Sequence, residues 1–225
     1  MFRDYPLLIG ACGWNHPAWS ETWYPEDLPP DWRLGFYANE FPVVLVTRQE
    51  WQASGADPRQ WCEDSDASFR FLTELAADSA GAATMQRQQA DALGARNLGF
   101  LLRTTLHGDA GALAGLLQGI GADRPLCLDF GGAEPVPAVR ELLQQHGTGW
   151  CWHGTGETTG LEAGPLAVTR VGGGAGEPPG PRQIRTWVET CLTAAAGERQ
   201  GILLFDGNPP DREAMHTAGV ILDLL

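Results

Sequence analysis

Eight short apolar runs, most of them separated by helix-periodic segments, constrain this chain more than any other feature. The runs are Leu7–Cys12, Val43–Val46, Phe69–Thr73, Leu98–Leu102, Leu126–Phe130, Gly149–Trp152, Leu166–Val171 and Gly201–Phe205. Each has the length of a strand. A strand followed by a helix returns to its sheet through a right-handed crossover, so the alternation predicts parallel pairing. Eight such units predict an α/β fold, one (β/α)₈ TIM-type barrel over residues 1–225.

Three helices carry clear end signals. Asp109 is a good N-cap, and Leu113, Leu116, Leu117 and Ile120 follow at helical spacing. Pro181 suits a first helical turn ahead of the stripe Ile184, Trp187, Val188, Cys191 and Leu192. Asp211 precedes Met215, Ala218, Ile221, Leu222 and Leu225, all expected to pack. Irregularity is expected at the third and sixth units. Phe69–Thr73 also reads as the start of a helix through Leu75 and Ala76, and Gly154–Gly164 has no helix signal. Gly172–Pro181 reads as an exposed loop.

The chain carries 15 basic and 28 acidic residues, a net charge of -13. Such a surface repels polyanions, which disfavours nucleic acid and acidic membranes as partners. Cys12, Cys62, Cys127, Cys151 and Cys191 are odd in number, scattered and without C-x-x-C spacing, which fits buried thiols in a reducing compartment. The first apolar run is too short for a signal sequence, and no stretch has the length of a membrane span, so a cytoplasmic location is expected.

After the first run, Trp14, Trp19, Trp23, Tyr24 and Trp32 crowd a loop broken by Pro17, Pro25, Pro29 and Pro30. Aromatics at that density bury large areas, so the loop is expected to be structured and to plug or rim one barrel end. Leu8-Ile9-Gly10-Ala11-Cys12-Gly13-Trp14, Trp19, Tyr24-Pro25, Leu28, Phe36-Tyr37-Ala38 and Phe41 together resemble the opening of the YecE-like family, domain of unknown function 72. The resemblance implies a TIM-type barrel, distantly like endonuclease IV and xylose isomerase, without a generally established activity. Beyond about the first 45 residues it rests on strand order.

The family's polar signature is mostly missing. Its V-E-x-N falls on Val44-Leu45-Val46-Thr47, and the lysine of its F-x-F-x-x-K falls on Glu74. Q-F-P becomes Leu102-Arg103-Thr104, and E-x-R-[HD] becomes Asp129-Phe130-Gly131-Gly132. R-x-H-G becomes Arg170-Val171-Gly172-Gly173, and F-N-N becomes Phe205-Asp206-Gly207. The resemblance thus implies a divergent member.

In a parallel barrel the site forms at the C-terminal strand ends. The polar groups there are Asn15 and His16, Thr47 and Arg48, Glu74, Arg103, Asp129, His153, Arg170, and Asp206 with Asn208. Asp129, Arg170, Glu74, Asp206 and His153 are the candidate catalytic residues. Trp14, Asn15, His16, Trp19, Arg48, Arg103, Gly172, Gly173 and Asn208 are the candidate binding residues. No cofactor is required by any motif, although Glu74, Asp129, His153 and Asp206 have the donor types of a divalent metal site. The competing arrangement pairs Asp129 and Asp206 with Arg103 and Arg170 as mutually neutralised buried ions. His16 and His153 suit general-base work or plain hydrogen bonding. Cys12, in the place of the family's first-strand serine, reads as an inert thiol ahead of a nucleophile.

The glycine run Gly172-Gly173-Gly174-Ala175-Gly176 reads as a flexible loop or an anion cradle. Trp14, Trp19, Trp23 and Trp51 read as packing or as a stacking surface for a sugar or base. The leading expectation is a degenerate family member that binds a small molecule or a protein partner. The alternative is a hydrolase or isomerase with a polar, metal-assisted mouth. A weaker third is nucleic-acid processing.

Overall fold

The computed structural model describes residues 6–53, 55–75, 80–121, 124–173 and 177–225. Its strands are β1 (Leu7–Cys12), β2 (Val43–Val46), β3 (Arg70–Leu75), β4 (Asn97–Arg103), β5 (Leu126–Asp129), β6 (Gly149–Trp150), β7 (Leu166–Gly172) and β8 (Gln200–Asp206). Its helices are α1 (Trp19–Thr22), α2 (Arg33–Ala38), α3 (Arg48–Gln52), α4 (Pro58–Glu63), α5 (Ala80–Ala90), α6 (Ala110–Ile120), α7 (Pro137–Gln145), α8 (Pro181–Ala194) and α9 (Arg212–Asp223). All strands pair in parallel, in the order β6-β5-β4-β3-β2-β1-β8-β7. One bridge joins the two end strands: Trp152 N–H donates to the Val168 carbonyl at 3.1 Å, and Arg170 N–H donates to the Trp152 carbonyl at 2.9 Å. The eight-stranded barrel expected from the apolar runs is what forms.

Strand alternation divides the core in two. Leu8, Cys12, Val43, Leu45, Leu72, Leu101, Cys127, Cys151, Val168, Ile202 and Leu204 fill the barrel interior. The intervening residues, among them Ile9, Val44, Phe71, Phe100, Leu128, Val171 and Phe205, face outward to the helices. Side chains alternate with a period of two. Continuing the inward parity one step past the filled interior reaches Glu74, Arg103, Asp129, His153, Arg170 and Asp206. The filled interior ends there in a polar layer.

The predicted caps hold. Asp109 accepts from Ala112 N–H at 2.9 Å, Asp211 accepts from Ala214 N–H at 3.0 Å, and Pro181 opens α8. Two expectations need correcting. The third unit is a strand between β2 and β4 and not the start of a helix, because Arg70–Leu75 is almost wholly buried and offers no exposed helical face, although its register against β4 shifts between Phe71 and Leu72 as the expected irregularity implies; Ala76 lies outside the described residues. Leu225 does not pack but stands exposed past the end of α9. The sixth unit is irregular as expected, with the single 3₁₀ turn Thr159–Glu162 as its helical element among the described residues. There the chain passes so close that a Cβ on Gly160 would lie 2.5 Å from the Trp150 ring. Residues 1–5 and the Gly174–Gly176 part of the glycine run also lie outside the described residues. Among the described residues, no helix is long and apolar enough to cross a membrane.

Candidate functional site

At the C-terminal mouth the inward polar side chains join into a network. Asp129 ends β5 with its carboxylate fully buried. Its Oδ1 accepts from His153 Nε2 and from Gly131 N–H, each at 2.8 Å. Its Oδ2 accepts from Arg170 Nη1 at 2.7 Å, with Arg103 Nε 3.8 Å away. Arg170 reaches the other way, donating from Nη2 and Nε to Asp206 Oδ2 at 2.7 and 3.1 Å. Arg103 Nη1 donates to Glu74 Oε1 at 3.2 Å, and Arg48 N–H donates to Glu74 Oε2 at 3.0 Å. Acids and bases thus alternate as Glu74, Arg103, Asp129, Arg170 and Asp206.

The alternation sets the electrostatics. Burial alone would raise the Asp129 pKa, but the His153 and Gly131 hydrogen bonds and the Arg170 charge reverse this and hold it well below the ordinary carboxylate range. Burial pushes the Cys12 thiol, close beneath the network, far above its ordinary value, which fits the inert reading. Cys151 brings its thiol within 4.8 Å of donor atoms of Asp129 and His153, a metal-like triplet that the sequence did not suggest. That set differs from the expected one of Glu74, Asp129, His153 and Asp206. Burial holds the Cys151 thiol strongly protonated, and both Asp129 oxygens are engaged, so a cation at this triplet would have to replace the hydrogen bonds that Asp129 accepts from His153 and Arg170.

A cavity of about 510 Å³ opens over one side of the network, between the ends of β2 and β5. Arg48, Gln49, Glu74, Arg103, Thr105 and Asp129 contribute to its wall. The Arg103 side chain is 51% exposed there, whereas that of Arg170 is largely buried.

The remaining candidates sit apart. His16 Nε2 meets the Cys12 carbonyl at 3.0 Å, and burial lowers its pKa against hydrogen bonds that include the Asn208 side chain. Asn15 Oδ1 accepts from Arg33. Trp19 is buried among Trp23, Tyr24 and Tyr37 and has no open face for stacking. Trp14 is buried against Trp61, and half-buried Trp51 meets the Trp61 ring edge-on. Trp14, Trp19 and Trp51 therefore pack into the outer hydrophobic core and do not cover the cavity at the ends of β2 and β5. Gly172 and Gly173 adopt positive φ, and Cβ atoms there would stand 2.5 Å from the Asp206 carbonyl oxygen and 3.0 Å from Asp206 Oδ2. They make room for an acid, so an anion cradled at that point would meet the Asp206 carboxylate.

Glu50 escaped the sequence reading. It caps α3 by accepting from Thr47 N–H at 2.9 Å, and Gly13 lies so close that a Cβ there would stand 2.6 Å from Glu50 Oε1. Burial raises its pKa against these hydrogen bonds. The Thr47-x-x-Glu50 spacing of a capping box was the available signal.

With this geometry in view, comparison with known proteins is informative. A family model described as "Protein of unknown function DUF72" matches residues 8–118. Among solved structures, a DUF72 family protein from Thermotoga maritima is similar at TM-score 0.69 and 13% identity, over 96% of this chain and 99% of that one. A family 39 glycoside hydrolase from Bacteroides cellulosilyticus WH2 aligns at TM-score 0.56 and 12% identity, over 96% of this chain and 63% of its own. Phosphoribosyl anthranilate isomerase from Thermotoga maritima aligns at TM-score 0.53 and 10% identity, over 97% and 100%. At such identities the likeness shows the barrel fold alone. No curated protein matches the sequence.

Proposed function

The chain belongs to the DUF72 family, and from that premise we propose that it is a binding barrel whose ligand, a small organic acid, seats in the cavity between the ends of β2 and β5. One observation carries this reading. Each carboxylate of the network accepts from a neighbour within it, whereas half-exposed Arg103 commits one Nη1 contact to Glu74 and stays 3.8 Å from Asp129. A guanidinium has five N–H donors in a planar fork that matches a carboxylate, so Arg103 retains capacity toward the cavity. Gln49 and Thr105 on the same wall offer hydrogen bonds to a hydroxyl or a second carboxylate. The volume of about 510 Å³ is that of a small-molecule site.

Calorimetric titration with a panel of mono-, di- and hydroxycarboxylic acids tests this. Binding is expected for at least one acid and should weaken by roughly tenfold or more in Arg103→Ala, as for loss of a charged hydrogen bond. Arg103 is half-exposed but Glu74 is buried and keeps the Arg48 N–H as a partner, and a thermal melt of the variant checks that it stays folded. Absence of binding by every acid, or affinity indifferent to Arg103→Ala, would reject the reading.

The 2.8 Å contact between His153 Nε2 and Asp129 favours a second reading, a hydrolase or isomerase. Asp129 fixes the imidazole through Nε2, and among the described residues no group hydrogen-bonds to Nδ1, which suits it to proton transfer. Turnover of a bound acid that His153→Ala abolishes without changing affinity would move the protein into that class. Nucleic-acid processing fits worst with a net charge of -13.

A further inference from the structure

A second, larger cavity of about 1200 Å³ lies on the other side of α3. Its floor is apolar: Trp14 stands edge-on to Trp61 with ring centroids 5.3 Å apart, beside Leu34. Its rim carries Trp32, which is 68% exposed. A large ring left in water is unusual in a chain whose other tryptophans are buried or half-buried. Nor is Trp32 loosely held. It ends the 3₁₀ turn Pro30–Trp32, and its N–H donates to the Pro29 carbonyl at 3.0 Å. Pro29 and Pro30 fix φ ahead of it, so its backbone is set before any ligand arrives.

The polar part of the wall has a distinct chemistry. Gln49 and Gln52 on α3 present amides, each both donor and acceptor, which suits hydroxyl groups that also do both, and Gln60 on α4 donates one amide N–H to Asp64 at 2.7 Å and keeps its carbonyl and second N–H. Asp31, Asp57 and Asp64 add acceptors, and among the described lining residues Arg48 is the one cation. This balance repels anions, in contrast to the organic-acid cavity across α3. An exposed indole face, an apolar floor and amide walls together match a compound with an apolar C–H face and an equatorial belt of hydroxyls.

We infer that this groove binds a neutral oligosaccharide, with one sugar ring laid on Trp32 and its hydroxyls meeting the glutamine amides. The groove shares Arg48 and Gln49 on α3 with the organic-acid cavity, but its Trp32 platform, Gln52 and Gln60 lie outside that cavity, so the inference stands or falls without Arg103. Saturation-transfer NMR on the full chain tests it, with maltotriose, cellotriose and chitotriose as probes and spermidine as a cationic control. Transfer to the ring C–H protons of at least one saccharide is expected. It should weaken by roughly tenfold in Trp32→Ala, the scale of one aromatic contact, recover partly in Trp32→Phe, and stay unchanged in Arg103→Ala. Transfer to none of the three, transfer indifferent to Trp32→Ala, or binding of spermidine alone would each overturn the inference. Because Trp32 is exposed, its variants should melt with the wild type, and that measurement guards the result.

Discussion

Between β1 and β2 the barrel is stapled from outside by one aromatic side chain, whereas between β6 and β7 it is held by one backbone bridge and a set of charges. On the first side, buried Tyr37 accepts from Ala11 N–H at 2.8 Å and donates to the Val43 carbonyl at 2.9 Å. Trp19, Trp23 and Phe41 pack around its ring, each such pair adding about 0.5–1.5 kcal/mol beyond burial. On the second side β6 has two laddered residues, and its bridge to β7 is a single one. There Asp129 on β5 binds Arg170 on β7 across the gap, His153 follows β6 onto the same carboxylate, and Arg170 continues to Asp206 on β8. Where the backbone ladder is short, ionic side chains carry closure. Most of the charged network therefore belongs to the clasp, leaving Arg103 as its half-exposed, cavity-lining member.

The largest expected break in this comparison is Asp129→Ala. It leaves Arg170 buried with half its partners, a change that costs about 3–5 kcal/mol. The urea midpoint should fall accordingly, with greater hydrogen exchange at β6 and β7 than at β1 and β2. A midpoint within error of wild type would show that the clasp does not hold the seam. Acid should release the same clasp more gradually. The folded Asp129 pKa lies below its unfolded value of about 3.9, so its stabilisation is complete above that value and is lost as pH falls through the folded one. The gap in urea midpoint between wild type and Asp129→Asn should narrow below about pH 4. Widening on acidification would contradict a depressed carboxylate.

The two sides also differed in how far the sequence revealed them. The aromatic staple is local, from Trp14 to Phe41, and its glycines have steric reasons: a Cβ on Gly10 would stand 1.9 Å from the Val43 oxygen. Short-range order of that kind leaves a motif. The ionic clasp joins residues from 74 to 206, and strand-end position placed them at one mouth without fixing partners. The two expected arrangements, metal ligands or neutralised ions, shared Asp129 and Asp206, and the 2.7 Å contacts pair both acids with Arg170. The expected pairing was right in kind, yet Arg170 takes both acids and Arg103 turns to Glu74. The exposure of Trp32 was invisible because proline-rich spacing does not distinguish a buried tryptophan from an exposed one. Cys151 was hidden for a different reason, as an inward neighbour whose approach to Asp129 depends on barrel curvature.

The smallest of these effects concerns the aromatic side and tests whether its hold is polar as well as apolar. Tyr37→Phe keeps the ring and every aromatic contact but removes the one oxygen that serves Ala11 N–H and the Val43 carbonyl. Gly10 is too close to Val43 for another side chain to fill the gap, and Tyr37 is wholly buried, which excludes water from the surface. The orphaned backbone groups put the cost at about 1–3 kcal/mol, or roughly 2–12 °C in Tm for a chain of this size. Hydrogen exchange at Ala11 gives the sharper readout, because that amide loses its acceptor while its neighbours keep theirs. Were Tyr37→Phe as stable as wild type and Ala11 still protected, apolar burial alone would suffice on this side. The contrast with the β6–β7 seam would then be complete rather than partial.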